Sequence, residues 1–429
     1  MLLISCATAE QSAATPTPPP TPHPGGLYVD LTRSEGMISP YVYGTNYGPW
    51  LTVPLDVQEA AQTSGITFLR FPGGEWGDRN DLQPYQIDQF IDLARQLGAE
   101  PSISVRLHGG TPEAAAELVR YTNVEQGYNV RYWSIGNEPS LYRDYDTETY
   151  NEEWPQFAAA MRAVDADILL MGPDTHQFTG NPATDPRDAQ GRDWLRSFLE
   201  ANGDLVDIVA VHRYPFPTDN ISTTSIEQLR QNSAEWEQII PRLRAIIEET
   251  TGRELPIAIT EINYHWSNAT GGEATTDSFY NAIWWADVLG RLISHDVDMV
   301  AHFALQSSPQ MGGYGLLARY EVRPTYYVYQ LYQEFGTERV WAESAVPHLS
   351  IYAARRDDGR LTLMVINLAD EAQTVPLQLA GLNETTTAEI RRFDAAHQAE
   401  WLHPISLGRQ QAITLPGQSI TLYTLDDRP

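Results

Sequence analysis

Two glutamates, Glu138 and Glu261, stand where apolar, β-branched runs give way to polar loop residues. Glu138 lies in Tyr132-Trp-Ser-Ile-Gly-Asn-Glu-Pro139, and Glu261 lies in Pro256-Ile-Ala-Ile-Thr-Glu-Ile262. These positions predict that both carboxyl groups lie at strand ends. When strands alternate with helices, the C-terminal strand ends converge on one rim, so the two groups can face one pocket. A facing pair of carboxyl groups is the machinery of glycoside hydrolysis.

Eight short apolar runs of strand character must position these residues, each followed by a stretch of helical character. The runs are residues 41–46, 66–71, 101–107, 130–136, 168–172, 208–214, 257–262 and 299–305. The candidate helices include residues 84–97, 112–122, 194–201, 225–250, 276–295 and 325–335. Eight such units predict an α/β fold, a (β/α)8 TIM barrel whose parallel strands are covered by helices.

The sequence pattern divides the chain into three parts. Residues 1–26 combine a truncated lipoprotein-type signal with a Thr/Pro-rich linker, and residues 27–339 form the predicted catalytic barrel. Residues 340–429 alternate apolar and polar positions between turn signals, which predicts a small C-terminal antiparallel β-sandwich domain. Residues 27–35 precede the first barrel strand and are expected to pair with that domain.

The composition limits the partners of the chain. Its 56 acidic and 28 basic residues give a formal net charge of −28. This charge repels nucleic acid and anionic membrane surfaces and suits a neutral polysaccharide, although a solubility adaptation spread over the surface explains it equally. No stretch approaches the roughly 20 apolar residues that a transmembrane helix needs.

Cys6 is the sole cysteine, which excludes a disulfide framework and a thiolate metal cluster. Its context, Leu3-Ile-Ser-Cys6, resembles the lipobox of bacterial lipoproteins, but most of the signal is missing, so the true start is expected upstream. Residues 15–24 predict an extended polyproline-like spacer. We therefore expect an extracytoplasmic bacterial protein, secreted or held at the cell surface by a lipid on Cys6.

Polar and aromatic side chains at the other strand ends are candidates for binding substrate. The polar ones are Arg70, His108, Asn137, His212, Tyr214 and Gln306. A guanidinium group is permanently charged and bonds a carboxylate in a fixed geometry, so Arg70 can keep a nucleophile ionised. The aromatic residues Trp76, Tyr264 and Trp266 are candidate stacking surfaces for sugars, and packing in the core is the alternative.

Taken together, these motifs resemble clan A of the retaining glycoside hydrolases over the whole predicted barrel. The fourth strand of that clan carries an Asn-Glu pair, matched by Asn137 and Glu138, and the seventh carries the nucleophile, matched by Glu261. The resemblance implies that Glu138 is the acid/base and that Asn137 bonds the sugar 2-hydroxyl. It also implies that an arginine after the second strand and a His or Tyr after the sixth lie beside the nucleophile.

The resemblance is strongest to the arabinofuranosidase, xylosidase, heparanase/glucuronidase and xyloglucanase branches. It rests on Gly136-Asn-Glu-Pro-Ser-Leu-Tyr142, on Arg70-Phe-Pro-Gly-Gly74 and on the appended β-domain. The chain departs from the clan at the eighth strand, where many members carry a Trp as a sugar platform. In this chain that position reads Phe303-Ala-Leu-Gln306.

The implied mechanism is double displacement with net retention of configuration. Protonated Glu138 donates to the glycosidic oxygen while ionised Glu261 attacks the anomeric carbon. Two like charges about 5.5 Å apart at an effective dielectric of ~20 repel by about 3 kcal/mol, which raises one pKa by roughly two units. We expect Arg70 and a hydrogen bond from Tyr214 to keep Glu261 charged, so that Glu261 titrates low and Glu138 high.

Two other function classes compete with this one. A metal hydrolase typically needs a His-x-His pair on the first strand, and residues 41–46 contain no histidine, so neither a metal nor another cofactor is predicted. A surface-anchored, non-catalytic glycan-binding protein would normally have lost a catalytic glutamate, and both are present. The sequence leaves open the sugar and linkage, endo or exo action, the oligomeric state and glycan binding by the β-domain.

Overall fold

The computed structural model describes residues 25–216, 224–266, 269–307 and 312–426. Cys6 and the Thr/Pro-rich linker lie outside the described residues, so the lipid anchor and the export of the chain stay predictions. Within those ranges, no helix combines the length and the apolar character that crossing a membrane requires.

The first strand, β1 (Leu27–Met37), belongs to the C-terminal sheet, and the next eight strands close into a parallel barrel in chain order. The barrel strands are β2 (Gly44–Asn46), β3 (Phe68–Phe71), β4 (Glu100–Val105), β5 (Tyr132–Ile135), β6 (Leu169–Thr175), β7 (Ile208–Arg213), β8 (Ile257–Ile262) and β9 (Met299–His302). Each predicted strand run overlaps one of them. Helices cover the outer face, so the strands are buried on both sides, and the predicted TIM barrel is confirmed.

Ten α-helices lie among the described residues. They are α1 (Gln58–Gln62), α2 (Trp76–Arg79), α3 (Pro84–Leu97), α4 (Pro112–Val119), α5 (Thr147–Val164), α6 (Trp194–Asn202), α7 (Ile226–Asn232), α8 (Trp236–Thr251), α9 (Phe279–Ser294) and α10 (Pro324–Tyr332). Helix α3 begins with a proline at its first turn and is capped after Leu97 by Gly98, whose φ of 68° suits glycine. The predicted helix 225–250 is two helices, because the 3-10 turn Ser233–Glu235 separates α7 from α8.

Strand β1 and eight later strands form one nine-stranded sheet in the order β15-β14-β17-β12-β11-β10-β1-β13-β16. The later strands are β10 (Glu338–Ser344), β11 (Leu349–Arg355), β12 (Leu361–Asn367), β13 (Gln373–Ala380), β14 (Thr386–Asp394), β15 (His397–Leu407), β16 (Gln410–Leu415) and β17 (Ser419–Leu425). Adjacent strands of this sheet pair antiparallel, except β1 and β13, which pair parallel. Residues from both ends of the sheet share one apolar core, so the sheet curls into the predicted sandwich-like domain.

The second face of this sheet packs on the barrel. Met364 and Ile366 of β12, with Leu422 of β17, belong to the same apolar core as the barrel helices. Buried Asp287 of α9 accepts hydrogen bonds from Tyr352 of β11 at 2.7 Å and from its own helix neighbour Arg291 at 2.9 Å. The β-domain therefore supports the flank of the barrel formed by α9 and α10.

Candidate active site

Glu138 follows strand β5, and its backbone turns the side chain into the mouth of the barrel. Its φ is 46°, in the left-handed region that few residues other than glycine adopt. The backbone N–H of Glu138 donates to the carbonyl of Asp174, at the end of β6, at 3.2 Å. Such conformations persist where the surrounding structure holds them, and they concentrate at functional sites.

Glu261, on strand β8, accepts three hydrogen bonds although its side chain is only 4% exposed. Arg70 Nη1 donates to its Oε1 at 2.7 Å, and the backbone N–H of Gly74 donates to the same oxygen at 2.6 Å. The Tyr214 hydroxyl donates to Oε2 at 2.9 Å. These donors come from β3, the loop after it and the end of β7, so three parts of the barrel converge on one carboxyl group.

Glu138 and Glu261 face each other across a short gap. One oxygen of each carboxyl group lies within 4.8 Å of the other, and the side chain of Glu138 is 19% exposed. His212 lies between them at the end of β7, with Nδ1 2.9 Å from Glu138 Oε1 and 3.9 Å from Glu261 Oε2. The two carboxyl groups thus lie close together at the ends of strands β5 and β8, as the strand positions predicted.

Arg70, on strand β3, connects the residues of the site beneath the rim. Its side chain is fully buried, and Nη2 donates to Asn137 Oδ1 at 2.9 Å. Its Nη1, besides bonding Glu261, donates to Asn46 Oδ1 at 3.0 Å. Asp174 Oδ2 lies 3.7 Å from Nη2. A buried guanidinium group with these partners fixes the positions of Asn137 and Glu261 relative to one another.

The pKa values of the two carboxyl groups are shifted in opposite directions. Burial raises the pKa of Glu138 above its ordinary value, and hydrogen bonding and charge from His212 offset that rise only in part. Burial acts on Glu261 too, but the positive charges of His212 and Arg70, with the hydrogen bonds from Arg70 and Gly74, lower its pKa overall. The structure therefore holds Glu138 protonated and Glu261 ionised over a shared range of pH.

His212 is the second buried cation of the site. Burial alone lowers the pKa of His212, but the carboxyl groups of Glu261, Asp174 and Glu138 outweigh burial and raise it to about 9. The pKa of Asp174 lies well below its usual range, because Arg70 and His212 overcome the effect of burial. Two buried cations, Arg70 and His212, thus lie beside the carboxyl groups of Asp174 and Glu261.

The other predicted residues differ in burial and in their neighbours. Trp76 is half-buried at the start of α2, and exposed His108 places its ring 4.6 Å from that of Tyr142. Gln306, just after β9, is 4% exposed, and its Oε1 has no partner among the described residues. Trp266, beyond β8, is 58% exposed, and its ring lies 6.1 Å from that of His265.

Tyr264 is not a stacking surface for sugar, contrary to the prediction from its position after β8. Its side chain is fully buried, with its ring 6.1 Å from that of Trp284 and 6.4 Å from that of Phe216. The ring belongs to the apolar core of the barrel and offers no face to a sugar. The chain turns inward directly after β8, which the position of a residue in a strand-end loop does not reveal.

Several residues of the site were missed from the sequence, and two of them carried a visible signal. Asn46 ends β2 and Asp174 lies near the end of β6, so both are polar residues at the ends of apolar runs, like those that were chosen. The backbone N–H of Gly74 could not be recognised from the sequence, because every residue except proline has such a donor.

Asp78, on α2, is another missed residue. It accepts a hydrogen bond from Tyr142, whose hydroxyl also accepts the N–H of Asn137 at 3.2 Å. Burial raises the pKa of Asp78 to about 7. Its carboxyl group thus supports the turn that carries Glu138 from one side, as Asp174 does from the other.

The sequence profile described as Glycosyl hydrolases family 39 matches residues 127–409, which is well over half of the chain. The chain belongs to this family. The matched segment runs from just before β5 into the β-domain, and it includes both Glu138 and Glu261.

Similar proteins place this family 39 member among arabinofuranosidase and glucanase folds. It is 26% identical over 192 residues to a probable α-L-arabinofuranosidase C of Aspergillus flavus, covering 34% of this chain and 38% of that protein. The chain thus matches about two fifths of the length of this curated relative. Among solved structures, a bifunctional glucanase-xylanase from a metagenome library has a TM-score of 0.74 at 19% identity, covering 94% of this chain and 99% of that one. An α-L-arabinofuranosidase from Thermotoga maritima has a TM-score of 0.73 at 18% identity, covering 93% and 99%.

Proposed function

We propose that this family 39 protein hydrolyses O-glycosidic bonds of neutral saccharides with retention of configuration. Glu138 acts as the acid/base and Glu261 as the nucleophile. The observation that carries the proposal is the unequal environment of the two carboxyl groups. Glu261 accepts bonds from Arg70, Gly74 and Tyr214, whereas Glu138 contacts His212 and keeps part of its surface exposed.

The geometry suits a double displacement. Retaining enzymes keep their carboxyl groups about 5 Å apart, whereas inverting enzymes need roughly 6.5–9.5 Å to admit a water molecule between them. The separation within 4.8 Å supports the first arrangement. In the first step Glu261 bonds to the anomeric carbon as the glycosidic bond breaks, and Glu138 passes its proton to the departing oxygen. In the second step Glu138 removes a proton from water, which displaces Glu261 from the sugar.

The arginines near the rim favour a neutral sugar over a uronate. Arg213 makes a bidentate contact with Glu235 at 2.6 and 3.0 Å. Arg106 donates to Asp81 at 3.1 Å and to two backbone carbonyls, and Arg79 is paired with Glu75. Each of these guanidinium groups already has a partner within the protein, so a substrate carboxylate would have to displace it.

We propose that Phe303 serves as the aromatic floor of the sugar site, in place of the Trp that many clan members carry at the eighth strand. Its ring is half-buried and packs edge-on against Tyr314 with centroids 5.6 Å apart. A Cβ placed on Gly74, the donor to Glu261, would contact the Phe303 ring at 3.4 Å. The ring therefore lies beside the nucleophile, where the apolar face of a sugar can rest on it.

Azide rescue tests the two roles separately. Glu138→Ala with an aryl glycoside of a good leaving group is expected to accumulate the glycosyl-enzyme, and azide should release it as a glycosyl azide of retained configuration. Glu261→Ala with azide should give the inverted azide. The matched control is Glu254→Ala, an exposed glutamate before β8, which should keep the wild-type rate. Absence of rescue in both variants, with folding intact, would contradict the assignment.

Product analysis defines the substrate. The similar proteins are named as arabinofuranosidases and a glucanase-xylanase, so arabinan, xylan, mixed-linkage glucan and xyloglucan form the panel, with aryl α-L-arabinofuranosides and an aryl glucuronide beside them. Turnover of neutral substrates and none of the glucuronide is expected. Binding of oligosaccharides without turnover of any substrate would instead favour the non-catalytic glycan-binding alternative.

A further inference from the structure

Asp174 is a buried carboxylate behind the pocket that makes and breaks no bond in the double displacement. It lies near the end of β6 and is 1% exposed. Thr260, the residue before Glu261, donates its hydroxyl to Asp174 Oδ1, and the Asp174 carbonyl accepts the N–H of Glu138. One residue thus contacts the segments that carry both catalytic carboxyl groups.

The carboxyl group of Asp174 lies between the two buried cations. Its Oδ1 is 3.6 Å from His212 Nε2, and its Oδ2 is 3.7 Å from Arg70 Nη2. On its other side, the His212 ring places Nδ1 2.9 Å from Glu138 Oε1. Asp174, His212 and Glu138 therefore form a line in which the imidazole separates two carboxyl groups.

The negative charge of Asp174 balances the buried charges of the site. With Glu138 protonated, the buried groups are Arg70 and His212, each positive, and Asp174 and Glu261, each negative, so their sum is zero. Without the charge of Asp174 the cluster would carry a net positive charge in a region with little solvent. Burial disfavours an unbalanced charge, and His212 is the member that can release a proton near neutral pH.

We propose that Asp174 is a positioning residue whose negative charge keeps His212 protonated, and that the imidazolium so maintained sets how strongly Glu138 holds its proton. This inference rests on the proposed role of Glu138. When Glu138 gives its proton to the departing oxygen, the new carboxylate forms 2.9 Å from the imidazolium, which stabilises it. His212 keeps its own proton throughout, so the step balances.

The surroundings of His212 agree with a charged ring. The groups that face it are Glu138, Glu261, Asp174, His176 and, through Asp174, Arg70. Burial, with the charge of His212 second, lowers the pKa of His176 to about 4, so His176 stays neutral and bonds Ser140 at 2.6 Å. Asp174 is thus the charged neighbour of His212 that takes no part in bond making or breaking.

Asp174→Asn tests the proposal through the pH profile of kcat/KM. The variant keeps the shape of the side chain and removes its charge, so His212 should be neutral at pH 7 and the proton should be held more tightly by Glu138. The pH at which kcat/KM falls on the basic side of the profile, its basic limb, is expected to rise by about one unit. The rate loss should be larger for substrates with poor leaving groups than for activated aryl glycosides. Thr260→Val is the control, because it removes the hydroxyl that bonds Asp174 and leaves the charge, so its basic limb should stay in place.

Imidazole ¹⁵N spectra give a readout that does not depend on turnover. The His212 signals, assigned by their loss in His212→Gln, should report a protonated ring in the wild-type protein at pH 7 and a neutral ring in Asp174→Asn. A neutral wild-type ring at pH 7 would overturn the proposal even if the variant failed to fold, and so would an unmoved basic limb in a folded Asp174→Asn. If azide does not rescue Glu138→Ala, the proposed role of Glu138 is wrong. If azide rescues that variant but the spectra show a neutral His212 in the wild-type protein, only the proposed role of Asp174 is wrong.

Discussion

Tyr214→Phe is the sharpest single change for testing why Glu261 stays ionised. The substitution deletes one hydroxyl from a side chain that is 5% exposed and leaves the ring in place. The deleted group donates to Glu261 Oε2 at 2.9 Å, and burial keeps the pKa of Tyr214 so high that it remains a donor at every working pH. The other two donors, Arg70 and Gly74, bond Oε1 and are not disturbed.

The size of the effect follows from the charge of the acceptor. A hydrogen bond to a charged group contributes about 1.5–3 kcal/mol, and one pKa unit corresponds to about 1.4 kcal/mol. Loss of this bond should therefore raise the pKa of Glu261 by about one to two units. Because Glu261 must be ionised to act as the proposed nucleophile, activity is lost as the pH falls through its pKa, and the acidic limb of the profile should move to higher pH by that amount.

The assay is the pH dependence of kcat/KM on an activated aryl glycoside, measured for the wild type, Tyr214→Phe and Tyr264→Phe. Tyr264 is the matched control, because it is an equally buried tyrosine whose hydroxyl has no partner among the described residues. Its profile should coincide with that of the wild type. An acidic limb of Tyr214→Phe that stays within about 0.3 pH units of the wild type would refute the claim that the Tyr214 hydroxyl helps to keep Glu261 ionised.

Two further predictions concern stability and metal independence. Burial lowers the pKa of His302 to about 3, and neither ring nitrogen has a partner among the described residues. The unfolded chain therefore binds a proton below about pH 6.5 that the folded protein excludes, which removes about 2 kcal/mol of stability at pH 5. His302→Leu should raise the free energy of unfolding in denaturant by more at pH 5 than at pH 7.5, and equal gains would contradict this. Activity should also survive EDTA, since Arg70, Gly74 and Tyr214 already occupy the oxygens of Glu261; a loss that a divalent cation restores would revive the metal alternative.

The barrel could be predicted because buried parallel strands have a simple sequence signature. Both faces are covered, so each strand reads as a short, nearly continuous apolar run, and eight such runs were present. The predicted ends of the strands were less accurate. Residues 41–43 belong to the apolar run, but Pro40–Val42 form a 3-10 turn and β2 begins only at Gly44. An apolar residue that packs beneath the barrel looks the same in sequence as one that pairs within it.

The site was predictable in part, and for a similar reason. Strand-end position located Glu138, Glu261, Arg70 and His212, because the barrel gathers its C-terminal strand ends whatever their separation along the chain. The same criterion could not separate Tyr264, which turns into the core, from Trp266 two residues later, which faces solvent. Side-chain direction after a strand depends on the loop, and a single sequence contains little information about it.

The chemical difference between Glu138 and Glu261 arises from residues that are distant in sequence. Neither local sequence explains why the pKa of Glu138 is raised and that of Glu261 is lowered. Glu261 receives its donors from β3, from the turn after it and from the end of β7, whereas the carboxyl group of Glu138 is hydrogen-bonded to His212 of β7. Closure of the barrel brings these groups together, so the proposed acid and the proposed nucleophile differ because of the fold around them and not because of their residue type. A change at Asp174 or Tyr214 should therefore alter the chemistry of a glutamate that it leaves in place.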